Sequence, residues 1–269
     1  MSVLKRLSCL LLNLKGKEMS SRHEKLGFKQ TVQKVWMDKT VQMMLAGLSE
    51  SEIRDELNDY LSTQKQSGGM GDRGQKTYGM AIALLASWFA PDKELRQFRD
   101  DALSLARSRP SVEWLPLHWA VMCASYPFFL NVARQVGRLL NLQDQVTQVQ
   151  IFSRLKEQYG DRETVARNAR YAVRSLIAWD VLDDTKSRGC YMKSDVLSIE
   201  DPQVAILLIE SALLANPEAK SALGLILNNP AFFPFNLPSM TGDYVAKNCE
   251  RIDVIRYGLD DELLKLKGS

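Results

Sequence analysis

Histidine is nearly missing from this chain: His23 and His118 are the only two in 269 residues, and they lie far apart. The four cysteines, Cys9, Cys123, Cys190 and Cys249, are just as scattered. None has the short spacing of a zinc site, so no metal centre is expected. Isolated thiols also argue against a disulfide framework and fit a reducing, cytoplasmic setting. No apolar run reaches the roughly 18 residues that a membrane span needs, so no membrane partner is expected. Catalytic signatures are missing too. The segment 68–77, GGMGDRGQKT, has the glycines of a phosphate loop but not the GxxxxGK[ST] spacing, and it follows a helical pattern instead of a strand. Asp100-Asp101 and Asp260-Asp261 are adjacent acids, which on a helix point in different directions and read as solvated. The expectation is a protein without enzymatic activity and without a cofactor.

What is present is ordinary globular material. The chain is 45% hydrophobic and 25% charged, enough for a real core. Net charge is only +3, but it is unevenly spread. Residues 129–178 carry eight Lys/Arg against four acids, and residues 200–269 carry six against ten. A basic middle and an acidic tail suggest one anion-binding face. The first 18 residues, MSVLKRLSCLLLNLKGKE, have a basic start and a short, interrupted apolar stretch without a signal-peptide cleavage site. The codons for Lys-Gly-Lys-Glu, just before Met19, can contain a purine-rich ribosome-binding signal. One expectation is therefore a translated, non-native leader at 1–18; the other is an extra amphipathic helix.

Helical periodicity fills residues 19–127. A stripe runs over 28–48 and stops at Gly47. Ser49 and Glu52 form a capping box ahead of Ile53, Leu57, Tyr60 and Leu61. The stretch 76–89 is apolar almost all round, which predicts deep burial. Another helix follows Pro91. The region 113–142 supplies one or two more, broken at Tyr126-Pro127 because proline disfavours helical geometry before it. This is an N-terminal helical bundle.

Residues 128–198 read differently. Thr147 and Gln150 form a second capping box, with Val146 placed to staple onto Ile151, and Gly160 stops that helix. Asp161 is placed to cap the next one. On that helix Val165, Ala169, Ala172, Val173, Leu176 and Ile177 share an apolar face, and Thr164, Arg167, Asn168, Tyr171, Arg174 and Ser175 the opposite one. Two strand-suited runs, 181–182 and 190–192, then flank a polar hairpin with Lys186 and Arg188. With 129–142 as a first helix, this is a winged-helix pattern. Arginine pairs with guanine edges or phosphates and asparagine with adenine, so this face suits DNA. Arg162 at the helix start suits phosphate, and Lys186 and Arg188 at the hairpin suit the adjacent phosphates or the minor groove. Arg73 and Lys76, in the glycine-rich loop, can touch phosphate as simple charges. The competing reading is a protein-binding module with solvated arginines, and Glu163, Asp183 and Asp184 weaken the basic field.

The tail, 199–269, reads as a helical cap. It has helix starts at Asp201-Pro202 and Asn216-Pro217. PAFFPFNLP, at 230–238, is an aromatic segment expected to pack into the core, and RIDVIRYG, at 251–258, suits a short strand.

Three segments, VQMMLAGLSESEIRDELNDYL (41–61), GDRGQKT (71–77) and LHWAVMCASYPFFLNVARQVGRLL (117–140), occur in an order and spacing similar to the BrxA family of BREX phage-defence systems. The resemblance covers about 28–182, and the segment after 199 departs from the family pattern. It implies double-stranded DNA binding, no intrinsic enzymatic activity and work beside larger defence-system proteins. The expectation is thus a mainly α protein: an N-terminal helical bundle, a winged-helix-like domain and a helical C-terminal cap. Its expected role is that of a DNA-binding accessory protein. A scaffold subunit of a larger defence complex and a transcriptional regulator are the alternatives.

Overall fold

The computed structural model describes residues 21–64, 74–257 and 261–268. Segment 1–18, Arg73 and Asp260 lie outside the described residues. The first part of the chain forms α1 (Ser21–Glu24), α2 (Lys34–Leu45), α3 (Glu50–Ser62), α4 (Gln75–Phe89), α5 (Arg96–Arg107), α6 (Leu115–Ser125) and α7 (Pro127–Leu140). Local chemistry sets several of these ends. The Ser49 N–H donates to the Glu52 carboxylate at 2.7 Å, completing the expected capping box of α3. Tyr126 leaves the helical region (φ −129°, ψ 83°), and Pro127 then opens α7, where its missing N–H costs nothing.

Helix α6 is buried on every side from Leu115 to Ala124, which is why its sequence shows no polar face. Trp119 on this helix meets the rings of Phe129, Trp179, Phe233 and Phe235, with centroids 5.3–6.0 Å away in edge-on arrangements. Those partners come from α7, from the end of α9 and from the tail, so one apolar core runs from Phe28 to Leu264. Phe232, Phe233 and Phe235 are buried in it, as expected. The tail closes onto α7 at Gly137, where a Cβ would lie 1.9 Å from the Pro230 carbonyl oxygen. Only glycine admits that approach.

The middle of the chain runs β1 (Gln145–Thr147), α8 (Gln148–Tyr159), α9 (Glu163–Ala178), β2 (Leu182–Asp184) and β3 (Cys190–Lys193). Strand β3 is central, antiparallel to both neighbours, with Val146 opposite Tyr191 and Asp183 opposite Met192. Strand β1 escaped the sequence reading because it is three residues long and runs straight into the Thr147 cap. The Thr147–Gln150 capping box is present, and Gly160 ends α8 at φ +82°. Asp161 does not cap α9. The helix starts one residue later, after Arg162, and the Asp161 carboxylate instead meets Lys156 Nζ at 2.8 Å.

The tail is not a purely helical cap. After β4 (Leu197–Ser198), it contains α10 (Pro202–Leu214), β5 (Lys220–Ala222), α11 (Leu223–Leu227), β6 (Phe235–Asn236), α12 (Gly242–Asn248), β7 (Ile252–Tyr257) and β8 (Asp261–Leu266). Strands β5, β8 and β7 form an antiparallel sheet in that order, with Val254 opposite Leu264. Asp201 caps α10 by accepting the Gln203 N–H at 2.8 Å. Asn216 does not start a helix. Its side chain accepts the Glu218 N–H and donates to the Lys220 carbonyl, closing a turn into β5. The strand read at 251–258 is real, and its partner β8 supplies the ladder that a lone strand lacks.

Candidate nucleic-acid interface

Helix α9 buries Val165, Ala169, Ala172, Val173 and Leu176, as its spacing predicts. The polar side divides in two. Asn168, 7% exposed, and Ser175, fully buried, belong to the packed flank and not to the open face. Ser175 is covered by the extended segment ahead of α2. The Val32 N–H donates to Ser175 Oγ at 2.9 Å, and the Trp179 indole N–H donates to the Val32 carbonyl at 2.9 Å. Nothing local in 162–178 announces this distant partner.

The open face is a row: Arg167, Arg170 and Arg174 are all exposed. Their three- and four-residue spacing places them on one ridge. Arg170 adds to the expected face a third arginine that the same spacing places there. The three differ in company. The Arg174 guanidinium donates to both Asp184 oxygens, at 3.1 and 2.8 Å, tying α9 to β2. Arg170 stands 6.0 Å over the Phe152 ring. Arg167 has no ion pair among the described residues. Lys186 and Arg188 are exposed on the β2–β3 turn, whose Gly189 takes φ +76°.

At its first turns α9 meets two other pieces of chain, residues 24–29 and the start of α4. Between them lies a groove of about 530 Å³. Lys76, Arg162, Thr164, Arg167, Asn168 and Tyr171 line it, so residues expected from separate motifs come together. Lys25 and Lys29 join them, and Glu24 is the one carboxylate in the lining among the described residues. These two lysines were missed because 24–29 has no motif. Arg162 precedes the first turn and donates to the Tyr159 carbonyl at 3.0 Å. Thr164 and Lys76 are exposed, and Tyr171 is half-buried. Arg174, Lys186 and Arg188 do not line the groove.

Other polar groups serve the core. His118 is fully buried, and its Nε2 lies 2.9 Å from Asp38 Oδ1. Burial holds the imidazole below its ordinary pKa, against the pull of Asp38. Burial pushes the Asp38 carboxyl up, but hydrogen bonds and charge from His118 and Lys34 outweigh it and leave it low. Asp101 is not merely solvated. It pairs with Arg251, which also grips the buried Glu210 through two bonds, at 2.6 and 2.8 Å, and so links α5, α10 and the tail. Asp100 pairs with Arg99.

Among the described residues no cluster of His, Cys, Asp and Glu could hold a metal ion. No described helix is long and apolar enough to cross a membrane. No protein-family model matches the chain, and no curated protein or solved structure matches it significantly.

Proposed function

We propose that the protein is a non-enzymatic accessory protein that binds double-stranded DNA through a winged-helix module made of α7, β1, α8, α9, β2 and β3. The observation that carries this reading is the ridge of Arg167, Arg170 and Arg174, exposed in one row on α9. The order helix–strand–helix–helix–strand–strand, with β3 between β1 and β2, supports it. In such a module the second helix of the pair enters the major groove, where arginine recognises guanine edges or flanking phosphates. Lys186 and Arg188 on the β2–β3 turn then serve the adjacent backbone. The cytoplasmic setting rests on the isolated thiols. A place in phage defence, beside larger proteins, rests on the BrxA resemblance.

A scaffold role is the second reading. Two observations favour it: Asp184 already neutralises Arg174, and a groove of about 520 Å³ beside β4 is lined by Val112 and Leu197, 77% and 43% exposed.

The test is the double variant Arg167→Ala/Arg170→Ala, assayed by fluorescence anisotropy on random-sequence duplex DNA across a salt series. The expected result is weaker binding and a log–log salt slope flattened by about one unit per lost phosphate contact. Leu176→Ala is the control for folding; from a fully buried site it should cost about 2–5 kcal/mol of stability. A folded double variant that binds as the wild type does would move the choice to the scaffold.

A further inference from the structure

We infer that the groove between α9, residues 24–29 and the start of α4 binds phosphate groups of a nucleic-acid strand, gripping the backbone beside the stretch that the α9 ridge reads. This rests on the DNA reading above and extends it to a part of the chain outside the winged-helix pattern.

The first argument is uncompensated charge. The half-buried Arg22 pairs with Glu94, and Arg251 with Glu210 and Asp101, whereas the cations of this groove are exposed and open to an incoming anion. In this groove Lys29, Lys76 and Arg167 have no carboxylate partner among the described residues. Three cations gathered from three segments repel one another, and an anion between them relieves that repulsion.

The second argument is Asn168. It is 7% exposed and lines the groove, yet its side chain makes no hydrogen bond among the described residues. Its amide is not among the sealed, unpartnered polar atoms, so it opens into the groove, where water or a ligand can meet it. A phosphate oxygen is an acceptor for its N–H₂ group. The third argument is helix ends. Helices α4 and α9 both begin at the groove, and neither Gly74 nor Arg162 caps its helix with a side chain. Each helix therefore turns its positive end to the groove, and Glu163 in the first turn of α9 offsets only part of it.

The site is also built in advance. Gly27 sits at φ +68°, and a Cβ there would lie 2.9 Å from the Tyr126 ring. This close seat fixes the segment that presents Lys29. Arg167 belongs to both the ridge and the groove, which favours a continuous strand over a lone small anion. Tyr171 offers a half-buried ring for sugar contact.

The experiment compares full-length wild type, Lys29→Ala/Lys76→Ala and Arg170→Ala. Both lysines are exposed, so the fold should hold. One arm follows the Asn168 side-chain amide resonances by NMR while inorganic phosphate, then 5′-phosphorylated dithymidylate, is added. The other measures random-sequence duplex affinity across salt. The expected result is that the Asn168 response survives in Arg170→Ala and disappears in the lysine variant. The duplex salt slope of that variant should flatten by about two units. A lysine variant that keeps both the Asn168 response and the slope overturns the site, while DNA binding by the ridge stands. Dithymidylate binding at Asn168 without any duplex binding upholds the site and removes the double-stranded reading.

Discussion

Replacing Asp184 by threonine should make this protein bind DNA more tightly. Asp184 lies in β2 and takes two hydrogen bonds from Arg174, and both side chains are nearly half exposed, at 46% and 49%. A pair so open to water contributes at most about 1 kcal/mol to stability. Threonine suits a strand, is too short to bridge to Arg174 and carries no charge. Asp184→Thr should therefore fold normally, free the third arginine of the ridge and remove an anion from its border. One added phosphate contact has a log–log salt slope of about −0.9, which at 0.1 M salt is worth about eightfold in affinity relative to 1 M. The assay is duplex affinity by anisotropy at several salt concentrations, with a thermal melt by circular dichroism as the folding check. A folded variant whose affinity and slope both stay unchanged would refute the idea that the ridge faces DNA. A drop in affinity would mean that the Arg174–Asp184 pair holds the β2–β3 hairpin in its working position.

Gly137→Ala would put a methyl group 1.9 Å from the Pro230 carbonyl oxygen and 3.0 Å from Phe233 Cβ. The turn at 230–232 must then shift, at a cost near the upper end of the roughly 1–3 kcal/mol of overpacking; urea denaturation reads it, and unchanged stability would contradict the close approach. Acid should destabilise the fold through His118, whose folded pKa is depressed by burial below the usual 6.5. The unfolded chain then binds the proton more readily, so stability is fully present above about pH 6.5 and falls as pH drops towards the folded value. Denaturation at pH 7.5 and 5.0 should show this loss, and a His118→Gln variant that keeps the same pH dependence would assign it elsewhere.

The sequence by itself determined the local decisions. Ser49, Thr147 and Asp201 announce helix starts because a side-chain oxygen can satisfy an orphan N–H within three residues. Pro127 announces a break for an equally local steric reason. The apolar stripe of α9 follows from its period alone, and the all-round apolar sequence of α6 already implied deep burial. What the tertiary structure decided depends on distant partners. The Ser175 flank looked open until Val32 came to lie against it. The alternation at 252–257 becomes a sheet only because 261–266 and 220–222 return beside it, and strand pairing has no local signature. Lys29 carries no motif, and Lys76 sat in a segment whose phosphate-loop spacing failed. Their place in one groove with Arg167 comes from packing, because charge on a sequence has a sign and a position but no direction until the chain folds.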